Sequence, residues 1–143
     1  VMASHCVSRS IVPGQRHLTD DMISELVRRG GIIGLVFCQH FMNPEFEWSE
    51  EMLQVPQEAK YGMEGLLPHI EKISELAGGS LGNVAIGTDM DGGFGAELTP
   101  KGIDTIADLQ DFSSVLRDTG IAHRDIDDIL HENALQFFRQ AWS

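Results

Sequence analysis

Apolar residues along this chain fall into short runs that alternate with helix-spaced sets. The runs at 1–5, 32–37 and 84–89 predict three β-strands. The middle run is apolar on both faces, which is typical of a parallel strand covered on both sides. Helix-spaced apolar positions at 19–31 and 64–77 separate the strands. The pattern therefore predicts consecutive βα units with a parallel sheet.

The first predicted helix has recognisable ends. Thr19 can cap its N-terminus, and Asp20 and Asp21 suit the positive end of the helix dipole. The pair Gly30-Gly31 predicts its stop. A later apolar set at helical spacing predicts an amphipathic C-terminal helix that packs on a core: Ile126, Ile129, Leu130, Ala134, Phe137 and Phe138.

Residues 38–63 form a long predicted connection between the second and third strands. It carries several large apolar side chains among glutamates: Phe41, Phe46, Trp48, Met52, Leu53, Tyr61 and Met63. Connections of this length are uncommon unless they act as lids, binding loops or interfaces. A surface excursion with a short helix of its own is the alternative, and the sequence leaves both open.

Charge and hydropathy exclude some classes of partner. The chain has 22 acidic against 10 basic residues, for a formal charge of −12, whereas nucleic-acid binding calls for clustered Lys and Arg. We therefore expect no nucleic-acid partner. No apolar run approaches the roughly 20 residues of a transmembrane helix, so no transmembrane segment is predicted. Cys6 and Cys38 lack zinc-ribbon spacing, and the sequence allows either free thiols or a disulfide.

The predicted sheet is too small to stand alone. The chain has 143 residues, enough for one domain with a sizeable core. Three parallel strands would nevertheless leave sheet edges open, because parallel sheets are normally covered on both faces. We therefore expect residues 1–143 to be the C-terminal part of a larger barrel or sheet, with an upstream part missing.

Polar side chains follow two of the predicted strands. His5 ends the first, and Asp89 ends the third, just before Asp91-Gly92. Parallel α/β folds carry their chemistry at such strand ends, so the pair suggests a shared metal site. An ordinary turn at 89–92 is the alternative. A calcium loop is excluded, because Pro100 stands where the liganding glutamate would be.

The order of several motifs carries a family resemblance. The motifs are Ala3-Ser4-His5, Arg16, Leu18-Thr19-Asp20, Gly30-Gly31-Ile32-Ile33-Gly34, Gly87-Thr88-Asp89-Met90-Asp91-Gly92 and Asn133-Ala134-Leu135-Gln136-Phe137-Phe138. Together they resemble the membrane (renal) dipeptidase family of zinc peptidases, in the amidohydrolase superfamily. The resemblance implies the C-terminal three βα units of a (β/α)8 TIM barrel, followed by the C-terminal amphipathic helix.

The resemblance also implies roles for particular residues. His5 would bind one of two zinc ions in the complete enzyme, and Arg16 would hold the substrate carboxylate. Asp89 would be catalytic and would also contact substrate, and Phe41 occupies a substrate-pocket position. The other metal ligands of the family lie upstream of this chain, so we expect the 143-residue chain alone to be inactive. The expected partners are a dipeptide, the missing N-terminal barrel half and a second copy in a homodimer.

Departures from the family pattern affect the pocket wall. Cys6-Val7 replaces a serine-containing pair after His5, His17 stands where Asn is usual, and Val36 replaces a common Asn. Phe41 stands where a pocket tyrosine can occur. Two alternatives to a dipeptidase therefore remain. One is a related metal-dependent amidohydrolase acting on another amide or ester, and the other is a catalytically silent interaction fragment.

Overall fold

Three parallel strands form the centre of the molecule. The computed structural model describes residues 1–43, 60–90 and 92–143. Strand β1 (Met2–Cys6) pairs with β2 (Ile32–Leu35), which pairs with β3 (Val84–Ile86). Both pairings are parallel. The parallel α/β architecture that the hydrophobic pattern predicts is confirmed.

Helical segments separate and follow the strands. In chain order they are α1 (Asp20–Arg28), α2 (Gln39–Met42), a 3-10 segment (Met63–Leu66), α3 (Leu67–Leu76), 3-10 segments at Ala96–Leu98 and Ile106–Asp111, α4 (Phe112–Asp118), α5 (His123–Asp127), a π-helical segment (Asp128–Glu132) and α6 (Asn133–Ala141). In the part of the chain that the structure describes, no helix is long and apolar enough to span a bilayer.

Helix α1 begins as the sequence predicts. The Met22 N–H donates to the Thr19 side-chain oxygen at 3.2 Å, so Thr19 is the N-cap. Ile23 and Leu26 are buried on its inner face. The second predicted helix, 64–77, starts instead as the 3-10 segment and becomes α-helical at Leu67.

The core lies between the sheet and the helices. All four residues of β2 are buried, as expected of a central parallel strand. Phe37, just beyond β2, meets Phe112 of α4 edge-to-face with ring centroids 5.1 Å apart. Ile129 is also fully buried in this core. The C-terminal helices are tied to the sheet, because Asn133 Nδ2 donates to the carbonyl of Val84 at 2.8 Å.

The strands end earlier than the apolar runs suggest. The runs 32–37 and 84–89 end as strands at Leu35 and Ile86, while the first strand is shifted to Met2–Cys6. Single hydrogen bonds continue past these ends, from the Gly87 N–H to the Leu35 carbonyl and from the Phe37 N–H to the Thr88 carbonyl. The Ser4 carbonyl also approaches two glycines of this region closely. A Cβ built on Gly34 or Gly87 would lie 2.2 or 1.8 Å from that oxygen. Only glycine fits at these two positions.

The long connection is only partly described. Its first residues form α2 (Gln39–Met42) and its last enter the 3-10 segment. The predicted lid, or alternatively surface excursion, depends chiefly on Phe46, Trp48, Met52 and Leu53, which lie outside the described residues. Both cysteines are free thiols, with Cys38 buried and Cys6 half-buried.

Candidate functional site

The carboxyl ends of the three strands meet at one edge of the sheet, which we call the rim. A cleft of about 290 Å³ opens there. It brings together residues from the loops after all three strands: Arg16, Cys38, His40, Phe41, Asp89, Gly92, Gly93, Phe94 and Leu98. Three of the four residues that the sequence singles out, Arg16, Phe41 and Asp89, therefore share one cleft. His5 is not among the described residues that line it.

Arg16 joins the cleft to the end of β1. Its Nη2 donates to the carbonyl oxygen of His5 at 3.3 Å. Its guanidinium carbon lies 3.8 Å from the centroid of the Phe41 ring, which is a cation–π contact. The Arg16 side chain is otherwise exposed. It therefore presents a positive charge at the mouth of the cleft.

Two histidines also contact the Phe41 ring. His17 meets it edge-on, with centroids 5.7 Å apart and an interplanar angle of 78°. His40 lies at 4.8 Å with a tilt of 60°. Phe41 is thus the centre of a cluster formed with Arg16, His17 and His40.

His5 has one ring nitrogen engaged. Its Nδ1 lies 2.7 Å from Ser4 Oγ, within hydrogen-bond distance. This contact orients the imidazole and leaves Nε2 for a second partner, the arrangement common for histidines that bind metal. The described ranges contain no group of three His, Cys, Asp or Glu side chains that could hold a metal ion. His5 thus fits one position of a metal site, and the described residues do not supply the rest.

Asp89 adopts an unusual backbone conformation. At φ +58° it is the only non-glycine residue with positive φ among those described. Its carbonyl accepts a hydrogen bond from the Gly92 N–H at 2.9 Å. A Cβ on Gly92 would lie 2.3 Å from Asp89 Oδ1, so the turn closes tightly around the carboxylate. Such strained positions are frequent at functional sites.

Burial keeps several groups at the rim uncharged. It lowers the pKa of His17 to about 4, and the positive charges of Arg16 and Arg9 act in the same direction. Burial and Arg16 also lower the pKa of His40. Burial raises the pKa of the Cys38 thiol to about 11, and the Asp89 carboxylate adds to the rise. At neutral pH these histidines are therefore neutral and the thiol is protonated.

His69 binds the backbone just after β1, next to the rim. It is fully buried on α3, and its Nδ1 accepts a hydrogen bond from the backbone N–H of Ser8 at 3.1 Å. Burial lowers its pKa to about 4, with a further contribution from His17. The ring is therefore neutral, with its proton on Nε2, which has no hydrogen-bond partner among the described residues. His69 fixes the chain just after β1.

Sequence reasoning did not single out several residues of this region. His40 and Leu98 line the cleft, and His69 anchors the segment after β1. The signal for His40 was present, because it comes shortly after the end of β2, at the same edge of the sheet as the end of β1 that carries His5. No local pattern marks His69, because the Ser8 amide that it binds is distant in sequence.

Comparison with known families gives a match over the whole chain. A sequence model described as membrane dipeptidase (peptidase family M19) matches residues 1–143. Among curated proteins, "Dipeptidase ataJ" of Aspergillus terreus is 27% identical over 140 residues, which are 98% of this chain and 30% of that protein.

Solved structures share the fold. A metallo peptidase from Rhodobacter sphaeroides, liganded with a phosphinate mimic of the dipeptide L-Ala-D-Ala, matches with a TM-score of 0.73 and 24% identity, over 92% of this chain and 33% of that one. An amidohydrolase from Pseudomonas aeruginosa matches with a TM-score of 0.78 and 18% identity, over 99% of this chain and 46% of that one. This chain therefore spans less than half the length of each of these proteins.

Proposed function

Because the chain belongs to the membrane dipeptidase family (peptidase family M19), we propose that it forms part of the active site of a zinc-dependent dipeptidase. Its three βα units would be the C-terminal units of a (β/α)8 barrel. An upstream half would supply the remaining strands and metal ligands. The fraction of each relative that the chain covers supports this division.

One observation carries the proposal. Arg16, Phe41 and Asp89 come from loops after three different strands and line the same cleft. The cleft thus contains a permanently charged guanidinium, a carboxylate and an aromatic ring. A dipeptide has a free carboxylate at one end and a scissile amide nearby, so it needs both a cation and a proton acceptor. Packing alone would not require these groups to converge.

His5 is the residue of this chain that we assign to metal binding. A neutral imidazole is a common zinc ligand, and the Ser4 contact leaves its Nε2 available. The complete enzyme would hold two zinc ions, with the other ligands outside the described residues. Zinc held there would polarise the scissile carbonyl and lower the pKa of a bound water toward about 7.

Two further residues act on the substrate itself. The planar guanidinium of Arg16 would hold the C-terminal carboxylate through charge-assisted hydrogen bonds, which favours short peptides with that group close to the scissile bond. Asp89 would accept a proton from the attacking water as the water oxygen bonds to the carbonyl carbon. It would then pass that proton to the amine nitrogen as the C–N bond breaks. The tight turn at Gly92 holds the Asp89 carboxylate in place.

Two alternatives keep specific support. A related amidohydrolase acting on another amide or ester is compatible with the similarity to the Pseudomonas aeruginosa amidohydrolase. A catalytically silent fragment that serves packing is compatible with the incomplete ligand set of the described residues. A homodimer stays a prediction for the complete protein.

The test is made on the complete protein with its upstream half. We expect zinc in the purified protein and hydrolysis of free dipeptides. Arg16→Ala should raise KM for free-acid dipeptides by about 10- to 150-fold, the effect of losing roughly 1.5–3 kcal/mol of a charge-assisted interaction. It should raise KM much less for C-terminally amidated dipeptides.

The control is Arg117→Ala, which removes an exposed arginine of α4 that does not line the cleft. It should change neither KM. Absence of both zinc and hydrolysis would favour the silent fragment. Hydrolysis of N-acyl amino acids or esters without dipeptides would favour the other amidohydrolase reading.

A further inference from the structure

Arg16 by itself is poorly restrained. Arginine side chains have many rotamers and lose conformational entropy when they are ordered. The hydrogen bond from Arg16 Nη2 to the His5 carbonyl is long, at 3.3 Å. The side chain is also exposed. A group meant to hold a substrate carboxylate in one geometry needs a second restraint.

The Phe41 ring supplies that restraint. The guanidinium carbon of Arg16 lies 3.8 Å above the ring centroid. A guanidinium stacked on a ring keeps its in-plane N–H groups available, so those not engaged with the His5 carbonyl can donate. Those N–H groups are the ones that a carboxylate binds.

His17 fixes the ring in turn. It is 4% exposed and meets Phe41 edge-on at 5.7 Å. Its own backbone is held twice: its N–H donates to the Gly14 carbonyl at 3.2 Å, and its carbonyl accepts from Arg9 Nε at 3.0 Å. Since its ring is neutral at pH 7, it sits beside the Arg16 cation without charge repulsion.

We propose that Phe41 and His17 are positioning residues, which hold the Arg16 guanidinium toward the cleft and thereby set the preference for substrates with a free C-terminal carboxylate. The inference rests on the proposed role of Arg16 as the carboxylate-binding group. It assigns to Phe41 an action through Arg16 in addition to its place on the cleft wall. It also gives His17 a part in selectivity, although His17 does not line the cleft.

The experiment uses the complete enzyme and pairs of free-acid and amidated dipeptides of the same sequence. Phe41→Leu keeps an apolar side chain but removes the ring, and should raise the ratio of the free-acid KM to the amidated KM about fivefold. Phe41→Tyr keeps the aromatic face and should restore the parent KM. His17→Leu should act in the same direction as Phe41→Leu and less strongly, and His17→Phe should restore the preference.

A double-mutant cycle separates this inference from the proposed function. In an Arg16→Ala background, Phe41→Leu should not change the ratio of the free-acid KM to the amidated KM any further, because the group that the ring positions is gone. If Arg16→Ala itself leaves the free-acid KM unchanged, the proposed function of Arg16 is wrong.

If Arg16→Ala raises that KM but Phe41→Leu affects free-acid and amidated substrates equally, or adds in full to Arg16→Ala, then Phe41 contacts substrate only directly and the positioning role is overturned. Should Phe41→Leu fail to fold, the pair His17→Leu and His17→Phe decides the question. Equal KM values in that pair and the parent enzyme would overturn the role of His17.

Discussion

Two open surfaces of this chain differ in size and in chemistry. The larger is a groove of about 480 Å³ along β1 and α1, which we call the edge groove. Its lining is mostly apolar: Val1, Met2, Ala3, Leu18, Asp21, Met22, Glu25, Leu26 and Arg29. The smaller is the cleft of about 290 Å³ at the rim, where Arg16 and Asp89 converge. The candidate site residues therefore line the smaller of the two cavities.

The difference in chemistry follows from the position of each surface on the sheet. Within the described residues β1 pairs with β2 alone, so its other edge has unpaired backbone groups beside exposed Val1, Met2 and Met22. An apolar sheet edge of this kind is suited to pairing and packing. The rim lies at the carboxyl ends of paired strands, and its cleft is lined by polar side chains such as Arg16 and Asp89. Under the proposed function, the edge groove would pack against the upstream part of the barrel, and the rim would bind substrate.

The largest expected effect comes from the rim carboxylate. Asp89→Asn keeps the shape of the side chain but removes the proton acceptor, and should lower kcat of the complete enzyme by about 10²-fold or more. Metal content should be unchanged. Asp21→Asn, which alters a carboxylate of the edge groove, is the matched control and should leave kcat unaltered. A kcat for Asp89→Asn within a few-fold of the parent would remove the functional distinction between the two surfaces.

Acid should lower the unfolding free energy through two histidines near the rim, whereas no histidine is among the residues that line the edge groove. His17 and His69 have pKa values of about 4 in the folded protein, against an ordinary value of 6.5. Between pH 6.5 and pH 4 the unfolded chain binds protons that these two rings exclude, so the unfolding free energy should fall as pH is lowered through that window. Each ring contributes at most about 1.4 kcal/mol per pH unit, and its contribution levels off below its folded pKa.

Urea unfolding of the complete protein at several pH values measures this slope. His69→Asn retains an acceptor for the Ser8 N–H but cannot titrate, so its slope should be shallower than that of the parent. The groove variant Met22→Ser should retain the parent slope. An unchanged slope in His69→Asn would show that folding does not lower the pKa of His69.

The smallest expected effect tests the edge groove directly. Met22 is 51% exposed here, and covering its remaining surface in the complete protein would contribute about 1 kcal/mol. Met22→Ser should lower the unfolding free energy by about that amount without changing kcat. Ile106→Ser, at a side chain 74% exposed and outside the groove, should change it by no more than about 0.5 kcal/mol. Equal effects of the two substitutions would mean that the groove stays open.

The sequence was sufficient for the order of the elements and for the parallel sheet. These depend on local periodicity and on capping, as the Thr19 cap and the fully buried β2 illustrate. The motif order also led to His5, Arg16, Phe41 and Asp89 as candidates, and their roles stay predictions. Strand ends were less accurate, since the apolar runs continue past Leu35 and Ile86.

Only the tertiary structure decided how the candidates meet. Arg16 over Phe41, His17 against the same ring, and His69 on the Ser8 amide are contacts between segments far apart in sequence. The close approach of the Ser4 carbonyl to Gly34 and Gly87 likewise joins β1, β2 and the residue just after β3. Residue patterns encode the local preference of a segment for helix or strand. Contacts between segments arise when the core packs, because burial depends on all segments at once.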